Sequence, residues 1–542
     1  AEKIQGEPLP ERIQTGRRLL SVSREMLYRM NMLGMVWLIE KDPKVLQRIN
    51  DEVIAVCNFS DWNPPHFLDV AEMSLAVAIA LDWTAGKLPK STIELAQNAL
   101  IEKGIKPAWP EDGSNPGWAY GDNNWNQVCN GGMIAASLAI AEKDIDLAAK
   151  TIYRALDGLP NALAAYAPDG IYPEGSTYWD YGTSYSVITA AMLESALGSD
   201  FGHFEYPAFK ESAVFRVMCN APSGWYYNFA DCGDRRGAEG DITLAWFAAK
   251  TGNKVFFEED RFLMPAENMG KLPRLAGAAL VWLAQFEEKE NQQLPSAWKG
   301  EGDNPVVIFK GGENDPHKYY FGGKGGRGTV NHCNMDGGSF IFELNGVRWV
   351  IDPGNQNYHD LEKTGFNLWG RCQDCERWTL LTKNNFGHST LTINDQLHVV
   401  DGLAEIVDFK EGQNPEATID MTPAFKGQLK NAVRRFIKDS GTSLIIEDII
   451  ETSDETRLIT WQLMTTADVE IVDGGAVLSQ DGKKLRVENL SHPELTISLI
   501  SLDPAPLELD RQINSLKRLE IRIPAWTVKN GKTNIKVKLS GE

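Results

Sequence analysis

At 542 residues, 43% hydrophobic and 24% charged, the chain is too long for one compact core and has the make-up of an ordinary globular protein. Its formal net charge of -20 argues against a nucleic-acid coat and repels polyanions at long range, so an anionic ligand needs a local patch of Arg and Lys. Seven cysteines are too few for a disulfide framework, and Cys372-x-x-Cys375 reads as two ordinary thiols rather than a zinc knuckle or redox pair.

The opening residues Ala1-Glu2-Lys3-Ile4-Gln5 carry neither the basic nor the apolar region of a signal peptide. The expectation is a cytoplasmic chain, or a periplasmic or secreted one whose signal has been removed. No uninterrupted apolar run reaches the length of a membrane span. From about residue 10 to about 290 the apolar period is helical, with stretches at 66–83, 133–141, 187–197, 242–249 and 275–286 separated by turns rich in Gly, Pro and Asn. Short connections imply antiparallel pairs, packed as a bundle or as a ring of hairpins.

Residues 289–305 break the pattern and read as a linker or crossover. Beyond them the period changes to two, with strand-like runs at 306–309, 339–344, 348–351, 389–393, 443–450, 495–500, 519–523 and 534–539. Phe340, Phe342 and Leu344 alternate with other residues, Asn345-Gly346 makes a two-residue turn, and Val347, Trp349 and Ile351 resume the alternation, which predicts a β-hairpin. Helices followed by strands predict a multidomain α+β chain: a helical domain at 1–300 and an antiparallel β-sandwich at 301–542.

Three polar clusters interrupt this patterning. The first, residues 121–130, precedes a helix expected to begin near Gly132; caps and turns account for one or two of its amides, but less well for Asn123, Asn124, Asn126, Gln127 and Asn130 together. The second spans Asp169 to Tyr181, where Tyr178, Tyr181 and Tyr185 fall at i, i+3 and i+7 on one helical face. Such a stripe is either aromatic packing or a source of proton-transferring phenols. The third is Asn331-His332-Cys333-Asn334-Met335-Asp336-Gly337-Gly338-Ser339-Phe340 at the mouth of the hairpin, joined downstream by His388. A lone His there would be structural; this one has polar company.

Several chemistries fit such residues. A glycoside hydrolase would use paired carboxylates such as Asp169, Glu174, Asp231 or Asp234, and would leave the His332 cluster unexplained. A non-catalytic carbohydrate-binding protein would stack sugars on Trp125, Trp179, Trp225 and the Tyr stripe. Cations for an anionic ligand are available at Arg235, Arg236, Lys324, Arg327, Arg371 and Arg377, although any single one reads first as a solvated surface charge. The Gly-rich loop at 322–328 lacks the Lys-Ser/Thr of a P-loop.

The order Asn123-Asn124-Trp125, then Glu174-Gly175-x-x-Tyr178-x-x-Tyr181, then His332-x-Asn334-x-Asp336-x-Gly338-Ser339-Phe340 entering a hairpin that closes on Ile351-Asp352-x-Gly354, resembles the heparinase II/III-type polysaccharide lyases. It is similar also to alginate lyases of that architecture and to dermatan sulfate epimerases, over residues 60 to 400. The resemblance implies an incomplete (α/α) toroid followed by an antiparallel β-sandwich, with a catalytic cleft between them. It implies β-elimination on an anionic, uronic-acid-containing polysaccharide such as a glycosaminoglycan or alginate, with uronate C5-epimerisation as the nearest alternative. Asn124 would neutralise the substrate carboxylate, with Tyr178 and His332 as acid and base; Asn130 and Tyr181 are the alternates one turn away. Trp125, Asn130, Glu174, Tyr181, Arg235 and Arg327 would line the substrate site.

Family members often hold a metal, usually zinc, through a His-Asp-His set, which by position would be Asn334, Asp352 and His388. Asn in the first place favours a harder ion such as Ca²⁺ or Mn²⁺. No organic cofactor, nucleic acid or membrane partner is implied.

Overall fold

The structure, a computed structural model, describes residues 1–237, 240–312 and 314–542. It consists of two compact units interleaved along the chain. The first comprises residues 1–167, 178–213 and 237–293, and the second residues 168–177, 214–236 and 294–542. Two short segments of the helical half thus belong to the strand-rich unit.

The first unit is helical. Helices α1 (Leu20–Glu40), α2 (Phe67–Trp83), α3 (Asn124–Ile140) and α4 (Ile145–Ala164) pack in sequence, each on the next. Helix α5 (Ser176–Leu197) lies within this unit from Tyr178 onward; α6 (Ile242–Thr251) packs on α7 (Ala276–Gln285), which also packs on α1. Residues 64–83 are long and apolar enough to cross a membrane, but most of that stretch is buried inside the structure. A carboxylate in such a helix must be paired. Asp69 accepts from Leu19 N at 2.6 Å, from Asn63 Nδ2 at 2.6 Å and lies 2.7 Å from His66 Nδ1.

Helix α3 starts well before the expected position near Gly132. The Asn123 side chain caps it by accepting from Trp125 N at 3.1 Å, so the amide cluster forms the first turns of the helix. Gly131 and Gly132 are packing residues and not a helix start. A Cβ at Gly132 would lie 2.5 Å from Ala71 O and 2.6 Å from Ala71 Cα, so α3 and α2 touch backbone to backbone.

The second unit contains three antiparallel sheets. A five-stranded sheet runs in chain order through β1 (Ala297–Gly300), β2 (Val306–Lys310), β3 (Tyr320–Lys324), β4 (Phe340–Leu344) and β5 (Val347–Val350). An eight-stranded sheet contains the long pair Leu429–Ser440 and Ser443–Thr452, and a four-stranded sheet includes Leu391–Ile393. Side chains from all three share one core that includes Phe321, Phe342, Trp349, Phe436 and Trp461.

The β4–β5 hairpin turns as expected, with Asn345 and Gly346 at φ 56° and 78°. Its alternation does not leave a wet face, since every residue of β4 and β5 is buried. The polar positions are satisfied across the hairpin, where Arg348 Nε meets Glu343 Oε1 at 2.6 Å and Ser223 Oγ donates to the same oxygen at 2.6 Å.

Candidate active site

His332 sits in the loop between β3 and β4, with positive φ (58°), as does Ala230 (59°) immediately before Asp231. Two non-glycine residues held in the left-handed region at one place mark backbone geometry that the surroundings must enforce. The enforcing contacts are polar. His332 Nδ1 lies 2.9 Å from Asp231 Oδ2 and 2.9 Å from Tyr358 OH, and Tyr358 OH donates to Asp231 Oδ2 at 2.8 Å. Asp231 is buried; Lys383 Nζ bonds its other oxygen and Arg377 lies 3.9 Å away. Burial alone would raise the Asp231 carboxyl, but Lys383, the His332 hydrogen bond and Arg377 together hold it well below the usual carboxylate range. An ionised carboxylate can only accept, so Nδ1 of His332 carries the proton and in the neutral ring the lone pair is on Nε2. Trp369, partly exposed, stands edge-on to His332 at 5.4 Å.

The neighbouring residues fix the rim of this site. Arg371 NH2 donates to Asn331 Oδ1 at 2.6 Å, and Asn331 Nδ2 in turn bonds Glu174 Oε1. Glu174, expected at the substrate site, is thus a buried neighbour of the His332 loop, on a turn made by Gly175 at φ 88°. Asp234, weighed above as a hydrolytic carboxylate, is tied to Arg511, and Asp231 to Lys383. Arg235 is exposed, its guanidinium 4.8 Å over the Trp225 ring, and Arg327 is exposed on the Gly-rich loop.

In the first unit the amides divide by role. Asn126 Nδ2 donates to the carbonyls of Gly121 at 2.8 Å and Gly158 at 2.9 Å, and Asn130 Nδ2 to Ala119 O at 3.1 Å. Gln127 Nε2 holds Tyr166 OH at 2.8 Å and Ser186 Oγ at 3.0 Å. Asn130, the alternate to Asn124, is therefore committed to holding backbone. Asn124 is the first residue of α3 and is buried; Trp125 lies edge-on to His66 at 5.1 Å. Tyr178 and Tyr181 lie on α5, Tyr181 OH donating to Glu72 Oε1 at 2.8 Å.

A metal-type cluster brings two of the expected residues, Asp352 and His388, together with Asp336. Asp336, Asp352 and His388 are buried, with one donor atom from each within 4.8 Å of the others. Asn334 is buried as well. Its amide accepts from Arg377 NH2 at 3.4 Å and donates to Ala230 O at 3.5 Å. His388 Nδ1 donates to Asn384 O at 2.8 Å, which puts the lone pair on Nε2, 3.7 Å from Asp352 Oδ2. Among the described residues, neither His388 Nε2 nor Asp336 Oδ2 has a hydrogen-bond partner. Two carboxylate oxygens and one imidazole nitrogen converging in a buried site suit a divalent cation. Lys324 Nζ, fully buried, pairs with Asp336 Oδ1.

Cys372 and Cys375, expected as free thiols, form a disulfide with Cα atoms 5.1 Å apart. The turn in which Cys375 N donates to Cys372 O at 3.2 Å brings the side chains together. The partners of His332, namely Asp231 and Tyr358, and the Lys383 that bonds Asp231, were not foreseen. They are remote in sequence, and no local pattern announces them.

Residues 321–525 match the family described as Heparinase II/III-like, C-terminal. The comparison with curated proteins returned no match. Among solved structures the chain is similar to a heparinase III (TM-score 0.65, 12% identity, 99% of this chain and 80% of that one). It is also similar to the heparan sulfate lyase of Pedobacter heparinus (0.60, 13%, 99% and 78%). A chondroitin AC lyase variant from Streptomyces coelicolor follows (0.51, 11%, 100% and 78%). The resemblance read from the three motifs is thus met on both counts: residues 321–525 are a heparinase II/III-like C-terminal region, on a chain that shares the fold of these lyase structures.

Proposed function

We propose that the protein is a polysaccharide lyase that cleaves an anionic, uronic-acid-containing polysaccharide by β-elimination. The observation that carries this reading is the His332 constellation: a buried, ionised Asp231 holds Nδ1–H of the imidazole and directs basicity to Nε2. The family match of residues 321–525 and the fold shared with solved lyases support the reaction class.

Elimination removes the proton on C5, breaks the C4–O4 bond and leaves a C4=C5 double bond conjugated to the carboxylate. That proton is weakly acidic, so the charge developing on the carboxylate must be offset, and the departing O4 needs a proton. Asn124 donates hydrogen bonds to the carboxylate without adding a competing base. Tyr178 and His332 take the C5 proton and supply the one on O4, their order being set by the C5 configuration of the uronate. Trp125, Glu174, Tyr181, Arg235 and Arg327 are assigned to the surroundings of the substrate. The helical part, 1–300, is read as an incomplete (α/α) toroid, supported by the packing of α7 against α1. The Asp336, Asp352 and His388 cluster would hold a divalent cation that stabilises the 301–542 part; no step of the reaction runs through it. A disulfide at Cys372–Cys375 supports a periplasmic or secreted location.

The test is ultraviolet absorbance during digestion of heparan sulfate, chondroitin and dermatan sulfates, alginate and an unsulfated glucuronan. A rise from the conjugated product, lost in Tyr178→Phe, is the expected result. Absence of a rise on every polymer sinks the reading, and deuterium incorporation at C5 without a rise would replace it with C5-epimerisation.

A further inference from the structure

The first unit contains a second buried carboxylate constellation that these roles leave unused. Glu72, on α2, is fully buried; Arg24 Nε lies 3.0 Å from its Oε1 and Arg274 Nε 3.0 Å from its Oε2. Both guanidiniums also lie over the Tyr181 ring, Arg24 at 4.8 Å and Arg274 at 5.2 Å from its centroid. The groups acting on the two arginines are Glu72, the phenols of Tyr181 and Tyr185 and, for Arg274, Arg24 itself. Burial and the adjacent Glu72 push the Tyr181 phenol well above its ordinary value, so it stays neutral. Two positive charges therefore face one negative, and one positive charge is left over.

That surplus is placed where solvent reaches it. The side chains of Arg24 and Arg274 are 39% and 24% exposed, against 0% for Glu72. In a chain of net charge -20 such a point stands out electrostatically. Guanidinium forks bind carboxylate and sulfate in bidentate fashion, and here Arg24 donates to Glu72 from Nε, while the nearest approach of Arg274 to Glu72 is also by Nε. Tyr181 is one helical turn from Tyr178 on α5, and residues at i and i+3 share a face.

We infer that Arg24 and Arg274, both set against Glu72 and over the Tyr181 ring, form an anion subsite one turn from Tyr178 that takes a carboxylate or sulfate group of the polysaccharide. The subsite rests on the lyase reading for the identity of its occupant. Its charge arithmetic does not.

The experiment titrates full-length Tyr178→Phe protein with two fluorescent tetrasaccharides of glucuronate and glucosamine, one N-acetylated and one N-sulfated. Adding Arg24→Gln or Arg274→Gln should weaken binding by about tenfold or more, the scale of a lost charge-assisted hydrogen bond. Arg24→Lys should keep most of the affinity. Glu72→Gln, which raises the surplus charge, should tighten binding. An equal loss for both probes assigns the carboxylate, and a loss for the sulfated probe alone assigns the sulfate. Melting temperatures identify variants that have not folded.

Unchanged affinity in a folded Arg24→Gln or Arg274→Gln protein overturns the subsite. So does binding of neither probe, and so does weakening by Glu72→Gln in step with the arginine variants, which would mark the cluster as scaffold. Wild-type protein that shows the binding pattern yet forms no unsaturated product keeps the subsite and removes the lyase reading.

Discussion

Asp231 in the strand-rich unit and Glu72 in the helical unit are both buried carboxylates met by two cations and a phenol, yet the cations differ in where they stand. Around Asp231 the side chains of Lys383 and Arg377 are 0% and 4% exposed, so the charge is closed inward and what remains is the orientation of His332. Around Glu72 the arginines reach solvent. The same set of groups therefore aims an imidazole in one place and presents a charge in the other. Burial of the cation decides which.

The largest effect that would break this contrast is on His332. His332→Ala should lower the elimination rate by roughly two to four orders of magnitude, the usual scale for a general acid or base, with little change in melting temperature. A His332→Ala protein that is stable and fully active would remove His332 from the chemistry.

Next in size is Asp231→Asn, which strands a buried ammonium. Denaturant unfolding should show a loss of about 3–5 kcal/mol, the range for breaking a buried pair from one side. Glu72→Gln should cost less because its arginines remain hydrated. Equal losses would erase the distinction between the two constellations.

A pH titration of stability sharpens it further. Burial pushes His398 down to about 4, with its Nε2 donating to Leu391 O at 2.8 Å. A histidine whose folded pKa lies below its unfolded value near 6.5 contributes stability at neutral pH that is lost as pH falls through that interval, because the unfolded chain binds the proton first. The His398 share of the loss should be about 3 kcal/mol between pH 6.5 and 4 and should vanish in His398→Gln, leaving the like share of His203, which burial also pushes down to about 4. Asp231, also depressed, should hold until the pH falls well below the usual carboxylate range.

The smallest effect concerns the cation cluster. Chelator-treated protein should melt a few degrees lower and recover on adding Mn²⁺, Zn²⁺ or Ca²⁺, with about one equivalent bound, and Asp336→Asn should abolish that recovery. Identical melting with and without chelator would reduce Asp336, Asp352 and His388 to a hydrogen-bonded group.

What the sequence revealed follows from the range of the forces involved. The hairpin was legible because Asn345-Gly346 determines its turn locally, and the helix-to-strand switch because periodicity is local too. The start of α3 was misplaced because Gly131-Gly132 looks like a boundary when its cause is contact with Ala71 and Thr189 from elsewhere in the chain. The long strand Leu429–Ser440 escaped notice because Arg434 stands where an apolar residue belongs, its charge met by Asp448 at 2.7 Å. The partners of His332 and the convergence of Asp336 on Asp352 and His388 depend on contacts between distant segments. Glu72 did leave a signal: a carboxylate in so apolar a helix demands a cation, and asking which one leads to Arg24 and Arg274.

Gly132 carries a practical consequence for redesign. With no methyl between α3 and α2, the spacing of the Asn124 helix from the Glu72 helix is set by hard contact rather than by a compressible layer of side chains. Changes of specificity that graft new residues onto either helix can vary what the helices display while that one position is left alone. A single alanine at 132 would act as a shim, shifting both helices and the groups they carry at once.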